Sequence, residues 1–378
     1  MEKKRILLIA SYDGSLIRFR GDFIKSLVDN GFEVFTAAPG YTENFYEEIK
    51  ALGATPLEFN LQRTGLNPFK DFKSILELKS LMKDHKIDLV FPYTVKPVIY
   101  GSMAANMCKV PVISLITGLG YAFTGLTAKA RLLQRFNENL YKLSIRKNKV
   151  IVFQNKDDHQ LFLDRKVISK QQKIDFVSGS GVNLKQFSFQ EKDATDKVSF
   201  LLVARLIKEK GIALYMDAAR ILKAKYPKTE FHLIGIPETS PSAISIDEIN
   251  DLHEKGIIVF HGPQNNIPDH LKERDIFVLP SYYREGLPRT TLEACASGNP
   301  IITTDSVGCR ESVKEGINGF LIEPQNLDAL VKPMEFFITN PDKIKEMGIN
   351  SRKYAEERFD VDIINNDLIT LIKRELKM

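Results

Sequence analysis

Two short stretches carry residues whose types and spacing could do chemistry. In "REGLPRTTLEACASG", Arg284 to Gly298, Glu285 and Glu293 stand eight residues apart around a Gly-Leu-Pro turn. Pro288 is expected at the first helical position, where its missing N–H is harmless. The free amides around Gly286 and Leu287, with the positive end of the helix, would then form an anion site. Glu293 falls about one and a half turns into that helix, where a carboxylate can accept from vicinal hydroxyls. In "ARLIKEKG", Arg205 and Lys210 stand five residues apart and Gly211 follows. Cations at a strand-to-helix turn oppose the helix dipole unless an anion or solvent faces them. Two of them would neutralise a diphosphate leaving group without a metal. Together the stretches suit a nucleotide-sugar, with phosphate at the helix start and a carboxylate on either side; each alone also fits a solvated surface.

Such residues need strands whose carboxyl ends converge. The first half alternates apolar runs ("RILLIAS", "FEVFTAAP", "DLVFPYT", "VPVISLIT", "VIVFQN") with amphipathic stretches such as "FRGDFIKSLVDNG" and "NFYEEIKALG". That rhythm implies right-handed βαβ units and a parallel sheet. After the polar stretch "SFQEKDATDK" it restarts with "VSFLLVAR", "TEFHLIG", "IIVFHG", "DIFVLPS" and "NPIITTD". The expected fold is α/β, with two doubly wound Rossmann-like domains, 1–187 and 188–360, facing a central cleft where such sheets bind ligands. Residues 361–378 read as one further helix.

The totals narrow the classes. With 378 residues and 43% hydrophobic composition the chain can bury two cores. Cys108, Cys295 and Cys309 are too few and too scattered for a disulfide framework or a zinc site, which fits a reducing cytoplasm. The apolar run after the charged N-terminus is too short for a signal peptide. The uncharged run Val110 to Ala128 is broken by Pro111, Gly118, Gly120 and Gly125 and reads as a strand and glycine loop rather than a membrane span. The net charge of +5 divides unevenly: residues 1–190 hold 28 basic and 18 acidic side chains, and residues 101–150 hold 8 and 1. An anionic partner is therefore expected for the first half only. The basic stretch has neither regular aromatic interleaving nor a nucleic-acid motif, so nucleic acid is not expected, although a nucleic-acid-binding protein remains the rival outside the enzymes.

On these motifs, with "SYDGSLIRFRGDFIKSLVDNGFEV", "SGSGVNLKQF" and "GCRESVKEGINGFLIEP", the chain resembles the retaining family-4 glycosyltransferases of the GT-B fold over nearly its whole length. The resemblance implies that Arg205 and Lys210 hold the donor diphosphate, Glu285 lies against the donor sugar, and Glu293 binds ribose. Gly286, Leu287 and Pro288 would complete the donor loop, and Pro263 and Gln264 in "HGPQNNIP" would lie near the base. The first glycine loop, Gly14 and Ser15, would approach the diphosphate, and the last helix would return to the first domain. Two departures appear. Ser15 stands where many members have a second glycine, and the loop "ITGLGYAF" lacks the usual histidine, leaving Thr117 and the amides of Gly118 to Gly120. The pair Asp360 and Asp362 precedes the last helix rather than a nucleotide-binding strand, so Asp362 reads as a helix cap and no metal or other cofactor is expected.

For the acceptor, "AKARLLQRFNENLYKLSIRKNK" makes a basic amphipathic helix with Leu132, Leu133, Phe136, Leu140 and Leu143 on one face and Lys129, Arg131 and Arg135 around it. This suits an anionic membrane surface, and equally a helix that covers the sheet with its charges in solvent. Arg18, Arg20, Arg63 and Lys96 are expected in loops. "RTGLNPF" and "FPYTVKPVIYGS" resemble transferases that extend undecaprenyl-diphosphate-linked sugars, such as those that add N-acetylgalactosamine to lipid-linked bacillosamine. The implied activity is transfer of a hexose or N-acetylhexosamine, with GalNAc or Gal favoured, from a UDP-sugar to an undecaprenyl-diphosphate-linked saccharide. The implied place is the inner face of the cytoplasmic membrane. A soluble acceptor is the alternative within the family.

Overall fold

The computed structural model describes residues 3–62, 67–120, 123, 128–192, 197–240 and 242–378. The chain divides into two compact units, Met1–Ser180 with Val361–Met378, and Gly181–Asp360.

In unit 1, β1 (Arg5–Ile9), β2 (Glu33–Ala38), β3 (Thr55–Glu58) and β4 (Leu89–Pro92) form a parallel sheet of order β3-β2-β1-β4. β5 (Ile113–Ile116), β6 (Val150–Phe153) and β7 (Ile174–Phe176) continue it, through bridges from Val90 to Val112 and from Tyr93 to Leu115. The connections are α1 (Asp13–Asp29), α2 (Glu43–Ala51), α3 (Pro68–Asp84), α4 (Val95–Cys108), α5 (Ala128–Ser144) and α6 (Lys156–Asp164). Strands β1, β4, β5 and β6 are apolar almost throughout because helices cover both faces. Helix starts follow local chemistry: Asn67 Oδ1 accepts from Lys70 N at 3.2 Å ahead of Pro68, and Asn155 Oδ1 from Asp158 N at 2.7 Å.

Unit 2 contains β8 (Ser199–Val203), β9 (Glu230–Ile234), β10 (Val259–Phe260), β11 (Ile276–Leu279), β12 (Ile301–Thr304) and β13 (Gly319–Ile322). Their order is β10-β9-β8-β11-β12-β13, with parallel pairing throughout. Its helices are α7 (Ile212–Lys225), α8 (Ile246–Glu254), α9 (Ile267–Glu273), α10 (Arg289–Ser297), α11 (Leu327–Thr339) and α12 (Asp342–Arg358). The strand order reverses between β8 and β11, so the turns after these two strands flank the switch point.

The last helix, α13 (Val361–Leu376), belongs to unit 1: Ile364, Leu368, Ile369 and Ile372 are buried in the same cluster as Leu16 and Phe23 of α1. It begins at Val361, so Asp362 lies in its first turn rather than capping it. No helix among the described residues is long and apolar enough to cross a membrane.

Candidate active site

The turn after β8 and the turn after β11 meet at the carboxyl edge of the unit 2 sheet. Glu209 ties them together. Its carbonyl accepts from Tyr282 N at 2.9 Å and Tyr283 N at 3.1 Å, and its buried carboxylate accepts from Ser242 Oγ at 2.7 Å. Gly211 adopts φ +75°, and a Cβ there would stand 2.1 Å from the Pro280 carbonyl oxygen. The glycine after Lys210 is thus required by the close approach of two backbones.

On this base Lys210 Nζ donates to Glu285 Oε1, both side chains being mostly buried. Both cations stand near the ring of Tyr283, the Arg205 guanidinium 5.8 Å and Lys210 Nζ 5.7 Å from its centre. Arg205 is exposed, 3.4 Å from Glu238 Oε1. Gly308 (φ +80°) buttresses the loop below, since a Cβ there would come within 2.5 Å of the Gly286 carbonyl oxygen.

α10 starts at Arg289, with Pro288 in extended conformation (ψ 119°) as its N-cap. The expectation of Pro288 as first helical residue is therefore corrected by one position. Gly286, Leu287 and Pro288 are buried ahead of the helix start. Glu293, on the first turns of α10, accepts from Arg289 Nε at 2.8 Å. Burial raises the Glu293 carboxyl above its usual range, and Arg289 draws it back. The edge thus presents two cations, a carboxylate held by one of them, and a second, buried carboxylate on α10. That inventory can neutralise a diphosphate and accept from hydroxyls.

Pro263 and Gln264 are exposed in the loop after β10, where Gln264 Nε2 donates to the His261 carbonyl at 2.7 Å. His261 stacks on His232 at 5.3 Å and packs edge-on to His270 at 4.9 Å.

Unit 1 treats its expected residues differently. Gly14 and Ser15 are not in a loop but in the first turn of α1. Ser15 is buried and hydrogen-bonded to Tyr93 Oη at 3.0 Å, so its side chain is committed to packing. Arg18 and Arg20 also lie on α1. Arg18 is exposed near the Phe45 ring, whereas Arg20 is only 2% exposed with its guanidinium 5.4 Å from the Tyr93 ring centre, which removes it from any surface role. Lys96 is in the first turn of α4, not a loop, and pairs with Asp71 at 3.2 Å. Thr117 and Gly118 do follow a strand, half-buried after β5, with Gly118 at φ 102°. Arg63 lies outside the described residues, as do the side chains of Lys129 and Arg131; Arg135 is exposed on α5.

Sequence reasoning missed Tyr283, Arg289, Glu209 and Gly308. The spacing of Arg289 four residues before Glu293 was a readable signal. The other three act through contacts between separate turns.

Both halves of the chain resemble known proteins. Residues 5–155 match the family model described as Glycosyl transferase 4-like, and residues 185–354 the one described as Glycosyl transferases group 1. The N,N'-diacetylbacillosaminyl-diphospho-undecaprenol alpha-1,3-N-acetylgalactosaminyltransferase of Campylobacter jejuni is 28% identical, covering 99% of each chain. The UDP-Gal:alpha-D-GlcNAc-diphosphoundecaprenol alpha-1,3-galactosyltransferase of Escherichia coli is also 28% identical, over 79% of this chain and 78% of its own. Among solved structures, a glycosyltransferase from Rickettsia africae superposes with a TM-score of 0.80 at 19% identity, covering all of both chains. Anabaena HepE in complex with UDP and glucose superposes at 0.78 and 17%, covering 98% of this chain and 100% of its own. The chain is thus made of a glycosyltransferase 4-like domain in its first half and a glycosyltransferase group 1 domain in its second, with the fold of the GT-B glycosyltransferases.

Proposed function

We propose that the protein is a retaining, metal-independent glycosyltransferase. It moves a hexose or N-acetylhexosamine, GalNAc or Gal being favoured, from a UDP-sugar to an undecaprenyl-diphosphate-linked saccharide at the cytoplasmic face of the membrane. The observation that carries this reading is the pairing of Lys210 with Glu285 beside Arg205 on the ring of Tyr283. The Campylobacter and Escherichia relatives, both acting on diphospho-undecaprenol sugars, support the acceptor class.

As the glycosidic bond breaks, charge builds on the β-phosphate, and Arg205, Lys210 and the amides at the start of α10 are the groups to stabilise it. Two fixed cations do the work a divalent ion does elsewhere. Glu285 is already engaged by an ammonium group, which suits a carboxylate that positions the sugar better than one that attacks it. Retention then follows from attack on the leaving-group side, with the departing phosphate taking the acceptor's proton. Glu293 accepts from the ribose hydroxyls.

The test is transfer of labelled sugar from a panel of UDP-sugars into an organic-extractable lipid fraction, with a chelator present, for the wild type and Glu285→Gln. The expected result is label in lipid from one donor, unaffected by chelator and lost in the variant. Label confined to the aqueous phase would remove the lipid acceptor. Loss of activity with chelator, restored by a divalent ion, would remove metal independence, and a glycosyl group covalently bound to Glu285 would overturn attack from the leaving-group side.

A further inference from the structure

Three imidazoles stand in a row at the β10 edge of unit 2. His232 is buried on β9, His261 follows β10, and His270 lies in the first turn of α9. Nδ1 of His232 is 3.0 Å from Nε2 of His261, whose ring stacks on it, and His270 meets His261 edge-on. The chain between His261 and His270 holds Pro263 and Gln264, so a ring at each end closes this loop. Backbone bonds complete the closure: His261 N donates to the Leu233 carbonyl at 3.0 Å, and Gly235 N to the Gly262 carbonyl at 3.1 Å.

The row holds together only while it is neutral. His232 Nε2 faces Glu230 Oε2 at 3.4 Å and donates to it, which assigns His232 Nδ1 as the acceptor of the proton on His261 Nε2. A proton added at His232 Nδ1 sets two N–H groups against each other. One added to His261 keeps the bond but places a cation beside Arg274. At His270 Nδ1, which is buried without a hydrogen-bond partner among the described residues, an added proton finds no acceptor.

Burial holds all three rings below the ordinary imidazole range, His232 at about 4, and Arg274 lowers each further. His253 of α8 and His270 act on His261 in the same sense. Glu230 favours charge on His232 but is shared with Lys197 at 2.9 Å; Glu273 favours it on His261 and His270, and Asp269 on His270. An opened loop returns the rings to solvent, where they take protons near pH 6.5. The open form therefore binds protons that the closed form refuses, and closure is complete above about pH 6.5 and weakens as pH falls below it.

We propose that His232, His261 and His270 form an acid-sensitive latch, which closes the loop between β10 and α9 when neutral and releases it when protonated. A consequence for donor binding rests on the reading that Pro263 and Gln264 lie near the base; the latch itself does not.

Hydrogen exchange of the full-length protein reads the latch at the Gly235 amide. Its protection, corrected for the intrinsic pH dependence of exchange, should fall about tenfold between pH 7.5 and pH 5.5, the change expected from His232 alone. The fall should set in near pH 6.5. The Ile301 amide, bonded to the Asn318 carbonyl at 3.0 Å in the same unit, should keep its protection. In His232→Phe/His261→Phe two rings can still stack without a titrating atom, and Gly235 should be equally protected at both pH values. Constant wild-type protection, a fall shared by Ile301, or an onset in the carboxylate range below about pH 5 would each overturn the latch whether or not the double variant folds; so would a fall that the folded variant retains. UDP affinity by calorimetry at the same two pH values separates the latch from the base reading. If Gly235 opens in acid but UDP affinity changes alike in wild type and variant, the latch stands and the base assignment falls.

Discussion

The turn after β1 and the turn after β8 hold the same place in two sheets whose first four strands run in the same order, yet they use charge in opposite ways. After β1 the chain enters α1 at once, Ser15 bonds to Tyr93, and the Arg20 guanidinium is buried against the same tyrosine ring. After β8 it makes a short 3₁₀ turn, and Lys210 reaches across to Glu285 while Arg205 stays at the surface. Partners come from the equivalent neighbouring strand in each case: Tyr93 follows β4, and Glu285 follows β11. One topology thus supplies a packing joint in unit 1 and an electrostatic clamp in unit 2. A strand-to-helix turn at a switch point is an opportunity for anion binding, and the side chain across from it decides whether the opportunity is taken.

The largest effect should come from the clamp. Lys210→Ala is expected to reduce kcat by about 10²–10³, the range for removing a preorganised group that stabilises a developing anion, as read from transfer rates at saturating donor. A comparable kcat loss from Arg20→Met at unchanged fold would break the contrast between the turns. Gly308→Ala comes next: strain at φ +80° and contact with the Gly286 carbonyl should lower stability by about 1–3 kcal/mol, measured by denaturant unfolding, and raise the donor KM. Tyr93→Phe removes a buried hydroxyl from Ser15 and should cost about 1 kcal/mol. Its transfer rate should match the wild type, because the hydroxyl removed bonds inward to Ser15.

The smallest effect sharpens the comparison through pH. On the proposed reading the ionised Glu293 carboxyl accepts from the donor's hydroxyls, so donor binding should be complete above its pKa and lost as pH falls through it. Burial raises that pKa and Arg289 lowers it. Arg289→Ala removes the lowering cause, so the acidic limb of kcat/KM against pH should move to higher pH; an unmoved limb would assign the limb to another group.

Much of this was readable in advance where the signal is local. Arg205, Lys210, Glu285 and Glu293 sit where strand–turn–helix spacing puts them, because period and turn chemistry act over a few residues. Reading failed where burial decides. Arg18, Arg20 and Lys96 look like loop cations in the sequence but lie on helices, one beneath a tyrosine and one against Asp71. The apolar positions of α5 are helically spaced, and spacing cannot tell an inward face from an outward one.

By itself the sequence determined two parallel α/β units, the strand ends that carry charge and the clamp's charged members, since alternation of apolar runs and glycine-marked turns leaves few other folds. Only the tertiary structure decided that Arg205 and Lys210 share the ring of Tyr283, that Glu209 joins the two turns, that Ser15 faces Tyr93, and that Leu132 and Leu143 of α5 stay outside while Leu140 packs on the core. Each of these depends on which side chains converge from separate turns or helices. That convergence is set by how the elements pack against one another, at separations no local pattern records.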